Sequence, residues 1–340
     1  MKKIFITGGA GFIGSAFVRL VLHEQSDVEI VNYDALTYAG NLENLVDIDP
    51  ARHTFIKGDI CDRRTVLEAM PDNCDAVFNF AAESHVDRSI QSADEFLRTN
   101  VIGTQVLLDA ARERKVRRFV QISTDEVMGS LPDDSDDYFT ESSLLQPNSP
   151  YAASKAAAEF VVRAARKTHG VDTVVTRCGN NYGPHQFPEK LIPLMISNTM
   201  NDEPLPVYGD GKNVRDWIYV DDHCRAIWLA FEKGRPGEAY NIGGRNERQN
   251  IDVVQSILDV LGKPYSLISY VTDRLGHDRR YAIDPSKAET ELGWKPQTTW
   301  DEGLNKTIGW YLENQYWVDH IRNGEYREYY RSMYGTPLGA

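Results

Sequence analysis

At 340 residues, with 41% apolar and 26% charged residues, the chain can bury a large core and has the length of two domains or of one elaborated domain. A formal charge of −13 argues against a nucleic-acid or anionic-membrane partner, because either would want a basic face. Any anionic ligand must then be met by local Arg, Lys or backbone amides. The four cysteines, Cys61, Cys74, Cys178 and Cys224, form no CxxC pair and have no His at metal-ligand spacing, so they read as reduced thiols of a cytoplasmic protein with no metal site. The amino terminus mimics the start of a signal peptide, but its apolar run breaks at Gly8-Gly9, and no stretch reaches the roughly 18 apolar residues of a membrane span.

In chain order, residues 3–7 form a short apolar strand followed at once by GGAGFIG and an amphipathic segment over 15–23. Gly8, Gly11 and Gly14 give G-x-x-G-x-x-G between strand and helix, a spacing that lets backbone approach a pyrophosphate and turns the helix amino terminus toward its charge. Phe12 and Ile13, between the last two of these glycines, are candidate cofactor contacts with them. A second apolar run, 28–33, ends in Asp34, where a carboxylate accepts hydrogen bonds from an adenosine ribose and repels a 2′-phosphate. That favours NAD over NADP. Further strand-plus-helix units follow, 53–56 leading to Gly58-Asp59-Ile60 and 76–80 leading to Ala81-Ala82-Glu83-Ser84-His85, with helical patterns over 65–70 and 96–114. The alternation predicts an α/β fold, a Rossmann-type doubly wound parallel sheet. Asp59, with Ile60, is a candidate adenine contact or a turn cap, and His85 sits where a substrate contact and a solvated loop are equally open readings.

Residues 119–122 form an apolar strand that runs without a turn residue into Ser123-Thr124-Asp125-Glu126. Neighbouring strand side chains point to opposite faces, so Asp125 and Glu126 converge on one ligand only if the strand has ended. They belong on a loop at a carboxyl end, where open α/β sheets bind ligands. At Asn148-Ser149-Pro150 a helix should begin, with Ser149 as cap and Pro150 as first residue. Tyr151 and Lys155 then share a face, and an ammonium beside a phenol should lower the phenol pKa toward a value useful for a base, with Ser123-Thr124 supplying the hydroxyl partner.

With these motifs the sequence resembles the extended short-chain dehydrogenase/reductases, and among them the dTDP-glucose 4,6-dehydratases, along nearly the whole chain. The resemblance is carried by TGGAGFIGS, YDALTYAGN, AAESHVDRSI, STDEV, SPYAASKA, NNYGPHQFPEKLIP, RDWIYVDDH, YNIGG and GHDRRYAID. It implies NAD-dependent conversion of dTDP-glucose to its 4-keto-6-deoxy sugar. A hexose C5–H is not acidic and a C6 hydroxyl leaves poorly, so oxidation at C4 must come first; the ketone then acidifies C5. In such a reaction Tyr151 takes the 4-hydroxyl proton, Thr124 polarises the forming ketone, Glu126 removes the C5 proton and protonated Asp125 gives a proton to the departing C6 hydroxyl. Adjacent carboxyls tend to have pKa values pushed apart, which suits one acid and one base. Which is which comes from the resemblance alone. Lys155 would also reach the nicotinamide ribose.

From Asn180 the βα alternation fades, as expected for a smaller substrate lobe. By resemblance, Asn180, Glu189 and Lys190 would touch sugar and phosphates, Arg215 and Asn250 or nearby polar residues the nucleotide end, and Arg274, His277 and Tyr281 the pyrophosphate and base region. A dianionic diphosphate on an acidic protein needs such cations. Residues 216–230 read as a strand and helix returning to the first domain, so the expected division is 1–179 plus about 215–245 for the NAD-binding domain, and 180–214 plus about 246–340 for the nucleotide-sugar-binding one. The aromatic and charged tail, 300–330, reads as helical packing. The resemblance also implies a homodimer built from helices 96–114 and 151–167. Three residues depart from the family pattern: Met128 for Tyr, Gly179 for Ser and Leu275 for Pro. Met128 is expected to shape the pocket wall. A nucleotide-sugar 4-epimerase would use Tyr151, Lys155 and NAD alike but has no need of the carboxyl pair. A decarboxylase would need a C6 carboxylate, and a non-catalytic NAD-binding regulator would not need Tyr151 and Lys155.

Overall fold

The computed structural model describes residues 1–133 and 135–322. Twelve strands are present among them: β1 Lys2–Thr7, β2 Val28–Asp34, β3 His53–Lys57, β4 Ala76–Asn79, β5 Arg118–Thr124, β6 Thr173–Cys178, β7 Asn180–Tyr182, β8 Leu205–Tyr208, β9 Val214–Tyr219, β10 Ala239–Ile242, β11 Glu247–Gln249 and β12 Ile268–Val271. Seven of them form one sheet in the order β10-β6-β5-β4-β1-β2-β3, with every pairing parallel. The order reverses between β1 and β4. A crevice opens outside the carboxyl ends at such a reversal, and ligands bind there.

Side-chain alternation along the strands divides the core. Ile4, Ile6, Phe78 and Val120 face the helices Phe12–Glu24 and Val220–Lys233, where Phe17, Trp228 and Phe231 complete an aromatic cluster with Phe17 4.7 Å from Phe78. Phe5, Tyr33, Val77 and Phe119 face the other way and pack on Leu107, Leu108 and Val162 of the helices Thr104–Glu113 and Pro150–His169. Burial on both sheet faces explains why these strands read as nearly continuous apolar runs. Truncating Phe17 or Phe78 to Ala would cost about 3–5 kcal/mol.

The helix beginning at Pro150 forms as its sequence signals. Ser149 accepts a hydrogen bond from the Ala152 amide at 3.1 Å, and Gly170 ends the helix in the left-handed region at φ 70°. The 96–114 pattern becomes helix Asp94–Phe96, a wider π turn Leu97–Gly103 and helix Thr104–Glu113. The wide turn presents Asn100, whose amide bonds both backbone groups of Glu83 and donates to Ser154 Oγ at 2.8 Å.

The smaller layer contains the sheet β11-β9-β7 and the pair β12-β8. Here the sequence reading of 216–230 needs correction, because strand and helix part company. Strand β9 pairs with β7 and β11, while the helix that follows it, Val220–Lys233, packs on the large sheet, which β10 then extends. Strand β9 reads as a return strand because it is apolar and precedes an amphipathic helix; which sheet it joins depends on β7, beyond the reach of a local pattern. Tail residues Trp300, Leu304, Ile308, Tyr311, Trp317 and Val318 join Tyr182, Ile192 and Trp217 in a core. Packing was expected there; 323–330 lie outside the described residues. All four cysteines are free, with Cys74, Cys178 and Cys224 buried and Cys61 half-buried. Among the described residues no helix is long and apolar enough to cross a membrane.

Candidate active site

A cavity of about 420 Å³ lies at the carboxyl ends of β1, β2, β4, β5 and β6. Its wall contains Gly8, Gly11, Phe12, Ile13, Gly14, Asp34, Asp59 and Ile60 on one side, and Thr124, Asp125, Glu126, Tyr151, Lys155, Asn180, Glu189 and Lys190 on the other. Residues scattered over most of the sequence meet there because each follows a parallel strand or begins the helix packed beside it.

The glycine turn is sterically closed to side chains. A Cβ on Gly14 would fall 2.2 Å from the Gly8 carbonyl oxygen, and one on Gly8, at φ +70°, would fall 2.5 Å from the Ala81 amide nitrogen. These neighbours are backbone and have little room to yield. The helix Phe12–Glu24 starts at Gly11 with no side-chain cap, which leaves amides facing the cavity where a pyrophosphate would sit. Asp34 ends β2 and accepts hydrogen bonds from the amides of Ala10 and Leu36 at 2.9 and 2.8 Å, so its carboxylate is fixed beside the turn. Burial raises its pKa and those amides oppose the rise. Asp59 caps its own turn, Oδ1 accepting from the Cys61 amide, while Oδ2 holds Arg98 at 3.0 Å on the cavity rim. The glycines, the carboxylate at the second strand and the cavity beside them fit a dinucleotide.

Across the cavity, β5 ends at Thr124, which caps the single turn Asp125–Met128 by accepting from the Glu126 amide at 3.3 Å. The turn carries both carboxyls onto the cavity wall. Their surroundings differ. Asp125 is buried, Oδ1 accepts from Thr124 Oγ1 at 3.3 Å, and Oδ2 has no hydrogen-bond partner among the described residues. Burial, then the charges of Glu126 and Asp216, push its pKa well above the usual carboxylate range. Burial raises Glu126 too, but Arg274, Arg215 and Lys190 all favour its ionised form. Both carboxyls are raised, Asp125 further than Glu126, so the neighbours spread the two pKa values apart.

Tyr151 departs from expectation. Lys155 spends its ammonium on the Ile122 carbonyl at 2.6 Å, and burial lowers its pKa to about 8. The phenol is instead pushed well above its ordinary value, by burial first and then by Glu126, Cys178 and Asp125, with Thr124 opposing. Ser123 also turns away: its hydroxyl donates to Glu159 Oε1 at 2.6 Å, which Arg177 clamps from the other side. Thr124 alone of the pair addresses the phenol. Met128 is buried among Val127, Phe139, Ala156 and Ile283 with its sulfur 3.9 Å from Arg177, so it packs behind the cavity instead of forming its wall.

Of the other candidates, Asn180, Glu189 and Lys190 reach the cavity wall. His85 caps the helix Val86–Gln91 and lies 3.3 Å from the buried Glu189 carboxylate; burial and the charges of Lys190, Arg88 and Arg274 keep its ring neutral, with the pKa lowered to about 2. The Glu189 pKa is raised to about 7 by burial. Lys190 donates to the Ser84 carbonyl at 3.0 Å. Beyond Glu126, Arg215 stacks on the Tyr281 ring at 4.2 Å, Tyr281 donates to Asp278, Arg274 faces Asp87 at 3.8 Å, and His277 pairs with Asp273 at 2.6 Å. Asn250 begins the helix Asn250–Leu261 with its side-chain oxygen buried and without a partner among the described residues. His85, Arg215, Asn250, Arg274, His277 and Tyr281 do not line the dinucleotide cavity. Tyr38, Glu83, Ser84, Arg98 and Phe187 do, and were missed as individual residues. All except Arg98 fall in segments that carry the family resemblance.

A doubly wound sheet with this glycine turn, with Tyr151 and Lys155 on one helix and a carboxyl pair opposite, defines a short-chain dehydrogenase/reductase of the extended class. The family model for GDP-mannose 4,6 dehydratase matches residues 5–307. The chain belongs to the dTDP-glucose 4,6-dehydratase family: it is 49% identical to that enzyme from Shigella flexneri over 98% of this chain and 99% of the relative, and 52% identical to that from Xanthomonas campestris pv. campestris (strain B100) over 96% and 98%. Among solved structures it is similar to DesIV, the dTDP-glucose 4,6-dehydratase of Streptomyces venezuelae with NAD and TYD bound, at 50% identity and TM-score 0.90 over 94% of this chain and 99% of that one. A UDP-glucose 4-epimerase from Thermotoga maritima is more distant, at 28% identity and TM-score 0.85 over 92% and 99%.

Proposed function

We propose that the chain dehydrates dTDP-glucose to dTDP-4-keto-6-deoxyglucose, using NAD. The observation that carries this reading is the pair Asp125 and Glu126 on one turn, the first buried with an unpartnered oxygen and the second facing three cations. A 4-epimerase needs no such pair, since it only turns a 4-ketone and receives its hydride back.

NAD bound along Gly8, Gly11, Phe12, Ile13, Gly14, Asp34, Asp59 and Ile60 would accept hydride from C4 and later return it to C6. The chain's own groups manage the protons. Thr124 and Tyr151 hold the 4-hydroxyl, and Tyr151 takes its proton in the phenolate form, which the Thr124 hydrogen bond favours and which a neutral Asp125 disfavours less than an ionised one; Lys155 is positive below about pH 8. Once C4 is a ketone, the C5–H bond breaks to Glu126, the electron pair forms C5=C6, and the C6 hydroxyl leaves as water with the proton of Asp125. A proton on Glu126 then returns to C5 as hydride reaches C6. Asn180, Glu189 and Lys190 would meet the sugar and phosphates, with His85 holding Glu189 in place. Arg215, Asn250, Arg274, His277 and Tyr281 would meet the nucleotide diphosphate, where the guanidinium groups offset its charge.

The division proposed for the chain is an NAD-binding unit of 1–179 plus about 215–245, less strand β9, which goes with the remainder to the nucleotide-sugar unit. The exposed Leu97, Ile102 and Phe160, on the faces of the 97–113 and Pro150–His169 helices, support a homodimer through a four-helix bundle. The reading also makes it a cytoplasmic enzyme. The test is incubation of the purified protein, with no NAD added, with dTDP-glucose and UDP-glucose separately, followed by mass spectrometry. Loss of one water from the dTDP sugar is expected; a mass-neutral change would favour epimerisation, and no change after NAD is supplied would favour the regulator.

A further inference from the structure

The two peptide units that meet at Ala10, inside the glycine turn, are each held by a hydrogen bond. The Ala10 N–H donates to Asp34 Oδ2 at 2.9 Å. The Ala10 carbonyl accepts from Asn44 Nδ2 at 2.9 Å and from the Asn41 amide at 3.0 Å. Asn44 is buried, and its Oδ1 in turn accepts from Trp317 Nε1 at 2.9 Å. Trp317 lies on the helix Gln315–Ile321, 273 residues away in sequence and part of the smaller layer's core, where Trp310, Tyr311 and His185 surround its ring. His185 is bonded to Arg19, on the helix that starts at the glycine turn, and Arg19 donates to the Asn44 carbonyl. Every polar group in this chain of contacts is satisfied and buried or half-buried, a situation in which removing one partner strands another.

We infer that Asn44 and Trp317 are positioning residues that set how tightly the glycine turn holds NAD, with the helix Gln315–Ile321 acting as a strut from the substrate side of the molecule. The inference rests on NAD being the cofactor of this cavity. The turn needs such support: its glycines admit many conformations in isolation, and only one aims the amides at a pyrophosphate. Asp34 holds the Gly9–Ala10 peptide through its N–H and Asn44 holds the next one, Ala10–Gly11, through its carbonyl, so the strut sets the tilt of the second plane, which leads into the helix start where the phosphates would be received. A cofactor that is regenerated in every turnover benefits from slow release, and a contact far from the reacting carbons can slow release without touching the chemistry.

The test uses the full chain and measures NAD dissociation from the loaded protein by trapping released cofactor with an auxiliary dehydrogenase. Three variants are compared with the wild type. Trp317→Phe keeps an aromatic ring but removes the donor and one of the two fused rings; Asn44→Ala removes both bonds; Val318→Ala, a buried neighbour on the same helix with no bond to Asn44, loosens the core alone. NAD release should accelerate about fivefold in Trp317→Phe and about tenfold or more in Asn44→Ala, with the double variant no faster than Asn44→Ala. Val318→Ala should lower Tm while leaving the release rate unchanged. If release in all three variants simply tracks Tm, or if Asn44→Ala releases NAD at the wild-type rate, the strut has no such role. A wild-type protein that carries NAD but removes no water from dTDP-glucose would count against the proposed reaction, leaving the strut measurable; one that binds no NAD would overturn both.

Discussion

The two walls of the active-site cavity are built by different means. The dinucleotide wall is made of backbone: glycines with no room for a Cβ, an uncapped helix start and one carboxylate pinned by two amides. The opposite wall is made of side chains whose protonation is set by neighbours from separate segments of the chain, as Arg215, Arg274 and Lys190 around Glu126 illustrate. The first is rigid and, apart from Asp34, presents backbone that does not titrate; the second works because its charges are balanced. Damage to the first should therefore be all-or-none and steric, and damage to the second graded and electrostatic.

The largest effect should come from the backbone wall. Gly14→Val places carbon atoms on the Gly8 carbonyl, and the purified variant should carry no NAD by cofactor extraction and show no turnover; normal NAD content would mean that the turn is softer than its contacts imply. On the other wall, Tyr151→Phe should lower kcat by about 10²- to 10⁴-fold at undiminished NAD content, because a proton acceptor is lost and the cradle is not. The pH profile of kcat sharpens the contrast. In the proposed roles Glu126 acts ionised and Asp125 protonated, so activity should fall as acid protonates Glu126 through its raised pKa and again as alkali removes the proton of Asp125. In Asp125→Asn the alkaline limb should vanish from a much reduced profile, and an unchanged limb would move that ionisation to another group. Arg274→Gln should raise KM for dTDP-glucose about tenfold or more with a smaller change in kcat, since it removes charge offered to the diphosphate. Met128→Tyr should matter least for chemistry: overpacking of the cluster behind the wall lowers Tm by the equivalent of about 1–3 kcal/mol, and kcat stays near the wild-type value.

The same contrast explains what could be read from the chain. Gly8, Gly11, Gly14 and Asp34 are spaced by one βαβ unit, and Tyr151 and Lys155 by one helical turn, so local pattern places them. The large sheet was legible for the same reason. Where contacts join distant segments, the pattern was silent: β9 leaves the sheet its helix returns to, and Lys155 bonds the Ile122 carbonyl because β5 passes beneath it. The expected lowering of the Tyr151 pKa failed because burial and two carboxyls outweigh one ammonium directed elsewhere, a balance no spacing reveals. Met128 looked like pocket wall from its place after Glu126, but the tight turn Asp125–Met128 rotates it into the core. The spacing of Asp125 and Glu126 located the pair without dividing its roles; the cations around Glu126 supply a physical reason for the division.

The most direct test of that division is single turnover with Glu126→Gln, following the reduced-nicotinamide absorbance together with product mass. Oxidation at C4 does not need Glu126, so the absorbance should rise and persist while no water is lost from the sugar. A normal yield of the 4-keto-6-deoxy product would contradict the assignment of Glu126 as the C5 base.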